Sequence, residues 1–201
     1  MRIYTSLFLF LIFSGVIFCT SCNECRGNIE HYDFPEEMEQ YFGVFRPGNY
    51  WVYYNQDSTK KDSFYISDFE ESTGRLLDKD ECVSWDQREF TLHTTYLNRE
   101  SKVFYQTNIN CCEWIFESDN YLFRIFYSNG TFSRYYAGIS FTEKIESFTI
   151  NNEIYKNVLF QKSQFEDVVN NPVSLYIAPN IGVIKFTTNI DTFTLSKYRL
   201  R

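Results

Sequence analysis

Short runs of aromatic and β-branched residues, each bounded by turn-forming residues, recur along the chain and constrain its fold more than any other feature. The clearest example is the segment 121–136, in which two such runs flank Asn129 and Gly130. Because Asn-Gly accommodates the positive φ values of a type I′ turn, the segment predicts a two-residue β-hairpin. Tyr121 is expected on the same core-facing surface as the residues paired across this turn. The predicted pairs are Tyr127 with Phe132, Ile125 with Arg134, and Phe123 with Tyr136.

Runs of the same kind predict about ten strands in all. The chain has only two alanines, whereas 20% of its residues are aromatic, and this bias favours pleated sheet over helix. Short links between the runs predict an all-β, mainly antiparallel fold, either a meandering barrel, a half-barrel or a sandwich. Ser140 and Glu143 offer an alternative for their segment, since they could cap a short helix. The expected strands are 50–54, 63–69, 88–97, 121–128, 131–136, 145–150, 153–160, 173–178, 182–187 and 192–200.

One short helix is expected before the first strand. Asp33 is a typical N-cap residue, Pro35 suits the first turn, and acidic residues follow at the positive end of the helix dipole. Gly43 suits the C-cap. The sequence therefore predicts a helix between Asp33 and Gly43, after a polar tether.

The first 21 residues have the pattern of an export signal. Arg2 precedes an apolar run over residues 7–18, which is shorter than the roughly 20 residues needed to span a bilayer. Small residues stand directly before Cys22, an arrangement that resembles the lipobox of bacterial lipoproteins, in which the cysteine is lipidated and becomes residue one. Cys19 fits less well because the bulky Phe18 precedes it, and an ordinary signal peptide cut nearby is the alternative. We therefore expect lipidation at Cys22.

The domain organisation follows from this signal and from the position of the first strand. We expect a lipoprotein signal peptide over residues 1–21, a lipidated tether with the short helix over 22–45, and a single β domain over 46–201. The net charge is −7 and the basic residues are spread thinly, so nucleic acid is not an expected partner. The expected partner is the membrane, reached through the lipid anchor.

Four cysteines follow Cys22, and an even number in an exported chain favours disulfides. A bridge between the adjacent Cys111 and Cys112 would be strained, and on a strand their side chains point to opposite faces. The preferred bridge joins Cys82 to one of these two, while Cys25 pairs with the other or keeps its thiol. A zinc site built from Cys82, Cys111, Cys112 and His93 is disfavoured because the sequence lacks the spacing of such sites.

The sequence shows no recognisable catalytic motif. Only two histidines occur, and His93 lies on an alternating strand, where a surface or hydrogen-bonded structural role is expected. Acidic groups near Asp68 and Asp78 could in principle serve a carboxylate-based glycosidase, but runs of acids are usually solvated loops. The run Asp78–Glu81 also lacks the ligand spacing of a calcium loop. We expect neither an enzyme nor a cofactor or metal.

Two stretches of the β domain are recognisable: Phe45–Tyr53 (FRPGNYWVY) and Ser174–Lys185 (SLYIAPNIGVIK). With the lipobox-like start, the chain resembles small lipoproteins of Bacteroidota that open with a Gly-Asn-Tyr-Trp-Val-Tyr-like strand and end with a Gly-Val-Ile-Lys-like one. The resemblance covers both ends of the domain and says little about residues 70–145. It implies an all-β domain, similar to the incomplete barrels of lipid-binding periplasmic proteins, at the outer membrane or cell surface. It carries over no catalytic residue.

Two functions are consistent with these features. The first is a membrane-anchored, non-catalytic β domain that binds an apolar ligand, a glycan or a protein, as the aromatic excess suggests. The second is a structural or accessory lipoprotein in which the same aromatic residues only fill the core. An apolar interior pocket of roughly 300 Å³ or more would favour an internal ligand, whereas a filled interior would argue against it.

Overall fold

The structure is a computed structural model that describes residues 29–77, 82–95, 99–107, 111–118, 121–133, 135–136, 140–163 and 172–201. The export signal with Cys22, the candidate disulfide residue Cys25, and the acidic run Asp78–Glu81 lie outside the described residues. A single helix, α1, spans Glu36–Phe42 within them. The strands are β1 (Glu30–Tyr32), β2 (Tyr50–Asn55), β3 (Lys61–Leu77), β4 (Cys82–Thr94), β5 (Arg99–Thr107), β6 (Cys112–Ser118), β7 (Tyr121–Ser128), β8 (Thr131–Phe132), β9 (Tyr135–Tyr136), β10 (Ser140–Ile150), β11 (Glu153–Ser163), β12 (Pro172–Ala178), β13 (Gly182–Thr188) and β14 (Thr192–Arg199).

The described residues divide into two compact units. The smaller one comprises the described residues before Tyr32 together with those of Arg75–Ser84, and in it Nδ1 of His31 lies 2.8 Å from Oγ of Ser84. The larger unit comprises Tyr32–Gly74 and Trp85–Arg201. It contains the helix and most of the sheet.

The sheet of the larger unit is an antiparallel meander in the order β8-β7-β6-β5-β4-β3-β2-β14-β13-β12-β11-β10-β9. The first long strand of the domain, β2, pairs with the last, β14, and this pairing bends the meander into a nearly closed, barrel-like sheet. The expected all-β antiparallel fold with one short helix is thus confirmed. The fourteen described strands outnumber the expected ten because β1, β5 and β6 are additional, and because the predicted strand 131–136 is divided into β8 and β9.

The hairpin predicted at Asn129 and Gly130 is present. Asn129 and Gly130 have φ values of 51° and 76°, and Tyr127 pairs with Phe132 as expected. Asn151 and Asn152 likewise take positive φ values and join β10 to β11, so the alternative helix around residues 140–148 is wrong.

Beyond Phe132, the predicted partner Arg134 of Ile125 lies outside the described residues, and the predicted pair of Phe123 with Tyr136 is wrong. Tyr136 does not pair with Phe123, because it belongs to β9 and pairs with Ser140 of β10. The last bond of the first hairpin joins the Ser133 amide to the Phe126 carbonyl at 2.8 Å. The neighbouring strand β10 thus captures the end of the segment that the turn alone would have continued.

Helix α1 lies where it was expected and has the predicted C-cap residue Gly43, but its N-cap differs. Pro35 occupies the N-cap position with no side-chain hydrogen bond, so the predicted cap at Asp33 is wrong; Gly43 ends the helix with a right-handed φ of −64°. The stability of this seven-residue helix therefore comes from burial, because so short a helix is marginal in water. Met38, Tyr41 and Phe42 are each at most 1% exposed.

The interior of the larger unit is filled with aromatic rings from the sheet, from α1 and from the segment after it. Phe42 stacks on Trp114 with ring centroids 4.9 Å apart, and Phe45 lies 5.2 Å from Trp51 and 5.9 Å from Phe90. The largest fully buried side chains are Trp51, Trp114, Tyr41, Tyr53, Tyr105, Phe42, Phe45, Phe64, Phe90, Phe116, Phe123 and Phe186.

Helix α1 also links the two edges at which the sheet fails to close. The carboxylate of Glu37 accepts hydrogen bonds from Tyr127 of β7 at 3.0 Å and from Lys144 of β10 at 2.7 Å. The buried Gln161 of β11 crosses the same gap, since its amide lies 3.3 Å from the Arg124 carbonyl of β7. Side chains thus complete the closure that backbone pairing leaves open.

The two stretches recognised in the sequence contact each other. The indole of Trp51 in β2 donates to the Ile181 carbonyl at 2.5 Å, and the hydroxyl of Tyr53 donates to the Val183 carbonyl at 2.8 Å. Gly182 between them has a φ of 92°, and a Cβ there would lie 3.2 Å from the Trp51 ring. A glycine is therefore needed both for the backbone and for the packing of the ring.

The predicted bridge from Cys82 to Cys111 or Cys112 is wrong. Cys82 is disulfide-bonded, but neither Cys111 nor Cys112 belongs to a disulfide. Strand β5 separates β4 from β6, and the cross-strand neighbours of Cys112 are Thr107 and Tyr127. The spacing of the cysteines along the chain does not reveal which strands become neighbours.

Replacing Gly130 with Val should destabilise the protein by about 1 kcal/mol or more, because a β-branched residue is strained at positive φ. A Cβ at Gly130 would meet no atom within 4 Å, so the effect would be purely conformational. Urea unfolding measures it. Gly130→Asn is the matched control and should lose less stability, since Asn tolerates this region; equal midpoints for the parent and the Val variant would contradict the prediction.

Replacing Glu37 with Gln should weaken the closure at α1 in a pH-dependent way. The hydrogen bond from Lys144 lowers the pKa of Glu37 below its ordinary value of 4.5. The carboxylate therefore stabilises the fold above that value, and this contribution is lost as the pH falls through its lowered pKa. The difference in unfolding free energy between parent and variant should be largest at neutral pH and shrink well below pH 4.5.

The exposed neighbour Glu36 supplies the control, since Glu36→Gln should leave stability nearly unchanged at both pH values. A difference between the parent and Glu37→Gln that stays constant with pH would show that Glu37 does not act through its charge.

Candidate functional site

The described interior of the larger unit is packed with large side chains. Its centre is occupied by side chains, and the clefts formed by described residues, of about 420, 390, 300 and 250 Å³, open at the surface of the larger unit. A cleft of 300 to 1,000 Å³ is in the usual range for small-ligand sites. The outer face of the larger unit therefore offers the candidate site.

The β10–β11 hairpin forms one wall of the 420 Å³ cleft. Its strands pair as far as Ile150 with Glu153, but β11 pairs with β12 only over Leu159–Lys162. The free half of the hairpin begins near Asn157, which has a φ of 55°. It folds back so that Phe148 stacks on Tyr176 of β12 with ring centroids 4.5 Å apart and an interplanar angle of 18°.

The floor of the cleft is part of a row of outward-facing side chains. These residues alternate along their strands with buried ones, such as Leu175 and Ile177 on either side of Tyr176. Successive backbone pairs place them side by side, about 4.8 Å apart from one strand to the next. The row runs Tyr54, Thr194, Lys185, Tyr176 and Phe160 across β2, β14, β13, β12 and β11.

Lys185 lies at the centre of this row. Its Nζ is 5.0 Å from the ring centroid of Tyr176 and 5.5 Å from that of Phe148, within the range of a cation–π interaction. Most of the remaining lining is amide and hydroxyl groups. The lining residues are Tyr54, Asn55, Gln56, Ser58, Phe148, Thr149, Ile150, Asn151, Lys185, Thr194 and Ser196.

A second cleft, of about 390 Å³, shares Asn55 and Gln56 with the first. It contains Asp57 and Asp191. A hydrogen bond from Thr59 lowers the pKa of Asp57, and one from Lys60 lowers the pKa of Asp191. Both carboxylates are therefore charged at neutral pH. The two clefts form a continuous polar surface along the end of β2.

The expected structural role of His93 agrees with its surroundings. Its Nε2 lies 2.6 Å from Oγ of Ser67, its Nδ1 lies 3.3 Å from Oε1 of Glu100, and its ring stacks on Tyr65. This order of groups matches a nucleophilic triad, but the Glu100 side chain is 74% exposed and Ser67 also donates to Asp68 at 2.8 Å. Ser67, His93 and Glu100 therefore form cross-strand polar contacts on the outer face.

Glu71, one of the acidic residues near Asp68 on β3, has a structural role. Glu71 of β3 and Glu39 of α1 both bind the half-buried guanidinium of Arg88. This guanidinium lies 4.4 Å from the Phe34 ring centroid. The Arg88 Nε to Glu71 Oε1 distance is 2.6 Å. The cluster fixes α1 to β3 and β4, and the clefts of 250 and 300 Å³ flank it.

Cys112 is unsuited to nucleophilic chemistry. Burial is the main cause, and the neighbouring Cys111 the second, that raises the pKa of its thiol to about 12. The thiol therefore remains protonated at neutral pH, whereas a reactive cysteine needs the thiolate. Its 5% exposure is that of a core residue.

Sequence reasoning did not single out the cleft residues. Phe148 and Tyr54 were assigned to strands, and Lys185 was noted only as the end of the closing motif. The alternation of Tyr176 and Lys185 with buried neighbours was a usable signal for an outward face. Their assembly into one row depends on the order of strands, which the alternation does not contain.

No helix among the described residues is long and apolar enough to cross a membrane. Comparison with protein-family models, curated proteins and solved structures gave no match for this chain.

Proposed function

We propose that the chain is a lipid-anchored envelope lipoprotein whose β domain binds a glycan in the cleft between the β10–β11 hairpin and the outer face of β13, β14 and β2. The observation that carries the proposal is the combination of aromatic rings with amide and hydroxyl groups in one open cleft of about 420 Å³. A lipid anchor on Cys22 would hold this outer surface near the envelope. The disulfide at Cys82 supports export, because disulfides persist in oxidising compartments.

The chemistry of the lining favours a glycan over an apolar ligand. Apolar ligands bury most of their surface in enclosed, mostly hydrophobic sites, whereas this cleft is open and its amides come from Asn55, Gln56 and Asn151. A sugar ring has apolar C–H faces that can lie against Tyr54 or Phe148, and hydroxyl groups at its rim that can bond to amides. Phe148 is held in place by its stack on Tyr176, which reduces the entropy lost on binding.

The alternative is a structural or accessory lipoprotein without a small-molecule ligand. The filled aromatic interior supports it, because burial alone accounts for most of the large side chains. The two functions differ in whether the outer cleft binds a soluble polysaccharide.

Replacing Phe148 with Ala should weaken polysaccharide binding about tenfold, since it removes one aromatic contact surface. Affinity gel electrophoresis in dextran and in polygalacturonate measures the retardation of parent and variant. Ile154→Ala is the matched control, because Ile154 is 67% exposed on the same hairpin and is not part of the cleft lining. Circular dichroism should show native sheet content for both variants.

If neither polysaccharide retards the parent, or if Phe148→Ala is retarded as strongly as the parent, this cleft does not bind glycans and the structural alternative is favoured.

Lipidation of Cys22 can be tested separately, by fractionating bacterial cells that express the protein. Cys22→Ser removes the thiol that would carry the acyl chains, so the protein should leave the membrane fraction for the soluble one, and metabolic labelling with a fatty acid should be lost. Cys19→Ser should keep both the label and the membrane location. A Cys22→Ser variant that remains in the membrane fraction would show that the protein is held there in another way.

A further inference from the structure

We propose that the cleft selects acidic glycans, with Lys185 binding the carboxylate of a uronic acid. This inference rests on the proposed glycan-binding function and specifies the ligand class. It is argued from the charges that the described residues place around the cleft.

The lining has one charged residue. Lys185 is the single lysine or arginine among its described members, and none of them is an aspartate or glutamate. The chain as a whole has 26 acidic and 19 basic residues, so the charge of this lining is opposite in sign to the net charge of the chain. A cation without an acidic residue beside it in the lining can attract an anionic group of a ligand.

The contacts of Lys185 leave its charge available. Its ammonium group lies over the rings of Tyr176 and Phe148, and none of the ion pairs among the described residues includes Lys185. Aromatic faces stabilise a cation without neutralising it, and they leave its N–H groups able to donate to an incoming oxygen. The rings also limit the conformations of the lysine side chain, so less entropy is lost when a ligand binds.

The carboxylates of the adjoining cleft have partners of their own. Asp191 accepts a hydrogen bond from Lys60 at 2.7 Å and lies 3.4 Å from the Asn55 amide. Asp57 accepts a hydrogen bond from the Thr59 hydroxyl at 2.5 Å. Lys60 thus offsets one of these two charges. The row brings Thr194 between Tyr54 and Lys185, which offers a hydroxyl donor next to the cation. An acidic sugar could therefore place its ring against an aromatic face and its carboxylate on Lys185.

The test uses polygalacturonate and its methyl ester, which have the same sugar backbone with and without the negative charge. Calorimetry or affinity electrophoresis should give tighter binding for polygalacturonate, and binding should weaken as salt is added. Lys185→Gln should reduce the affinity for polygalacturonate about tenfold and leave that for the methyl ester nearly unchanged. Lys185→Arg should retain the preference for the acid, since it keeps the charge.

Lys197→Gln is the matched control, because it removes the same charge from an exposed position of β14 outside the cleft lining. It should change neither affinity by more than the small effect of net charge. Circular dichroism again checks that each variant folds.

The outcomes separate this inference from the proposed function. Equal binding of the acid and the ester, or equal loss with Lys185→Gln and Lys197→Gln, would overturn acidic selectivity while glycan binding stands. A parent protein that binds dextran but not polygalacturonate would do the same. Binding of none of the three polysaccharides would instead contradict the proposed function.

Discussion

The pairing of β2 with β14 is the interaction on which the rest of the structure depends. It joins the two ends of a meander, and the hydrogen bonds from Trp51 and Tyr53 to backbone carbonyls near β13 hold it in register. A buried carbonyl without its donor costs about 1–3 kcal/mol, so each of these side chains is difficult to replace. The same pairing places Tyr54 beside Thr194, and the adjoining β13–β14 pairing places Thr194 beside Lys185, so together they form the floor of the proposed binding cleft. The strand pairing that closes the sheet thus also supplies one edge of that floor.

Helix α1 decides what kind of barrel this is. A sheet of this size could enclose a cavity, but the helix and the rings of Phe42 and Phe45 occupy the centre. The helix contributes polar groups as well, since Glu39 binds Arg88 and Glu37 binds groups on both edges of the sheet. The barrel-like sheet is therefore filled at its centre, and its open clefts lie on the outer face.

Local patterns in the sequence predicted the parts of the fold that local chemistry determines. Asn-Gly and Asn-Asn turns specify hairpins because few other residues tolerate positive φ. The features that were missed depend on partners far along the chain. The turn at Gly130 does not show that Tyr136 will pair with β10, and the spacing of cysteines does not show that β5 will lie between β4 and β6. The cleft is of the same kind, because its floor comes from separate strands and its wall from a hairpin that folds back.

The bonds of α1 have a consequence for the order in which the protein folds. Glu37 and Tyr41 are synthesised before every strand of the barrel, yet their partners Lys144 and Asn157 follow 107 and 116 residues later. Contacts over such separations are slow to form, because the entropy of closing a long loop is lost before any bond is gained. A helix of seven residues has little stability until those partners arrive. The N-terminal part of the domain must therefore wait for the chain to be nearly complete, and the barrel is expected to fold as a single cooperative unit from its full length.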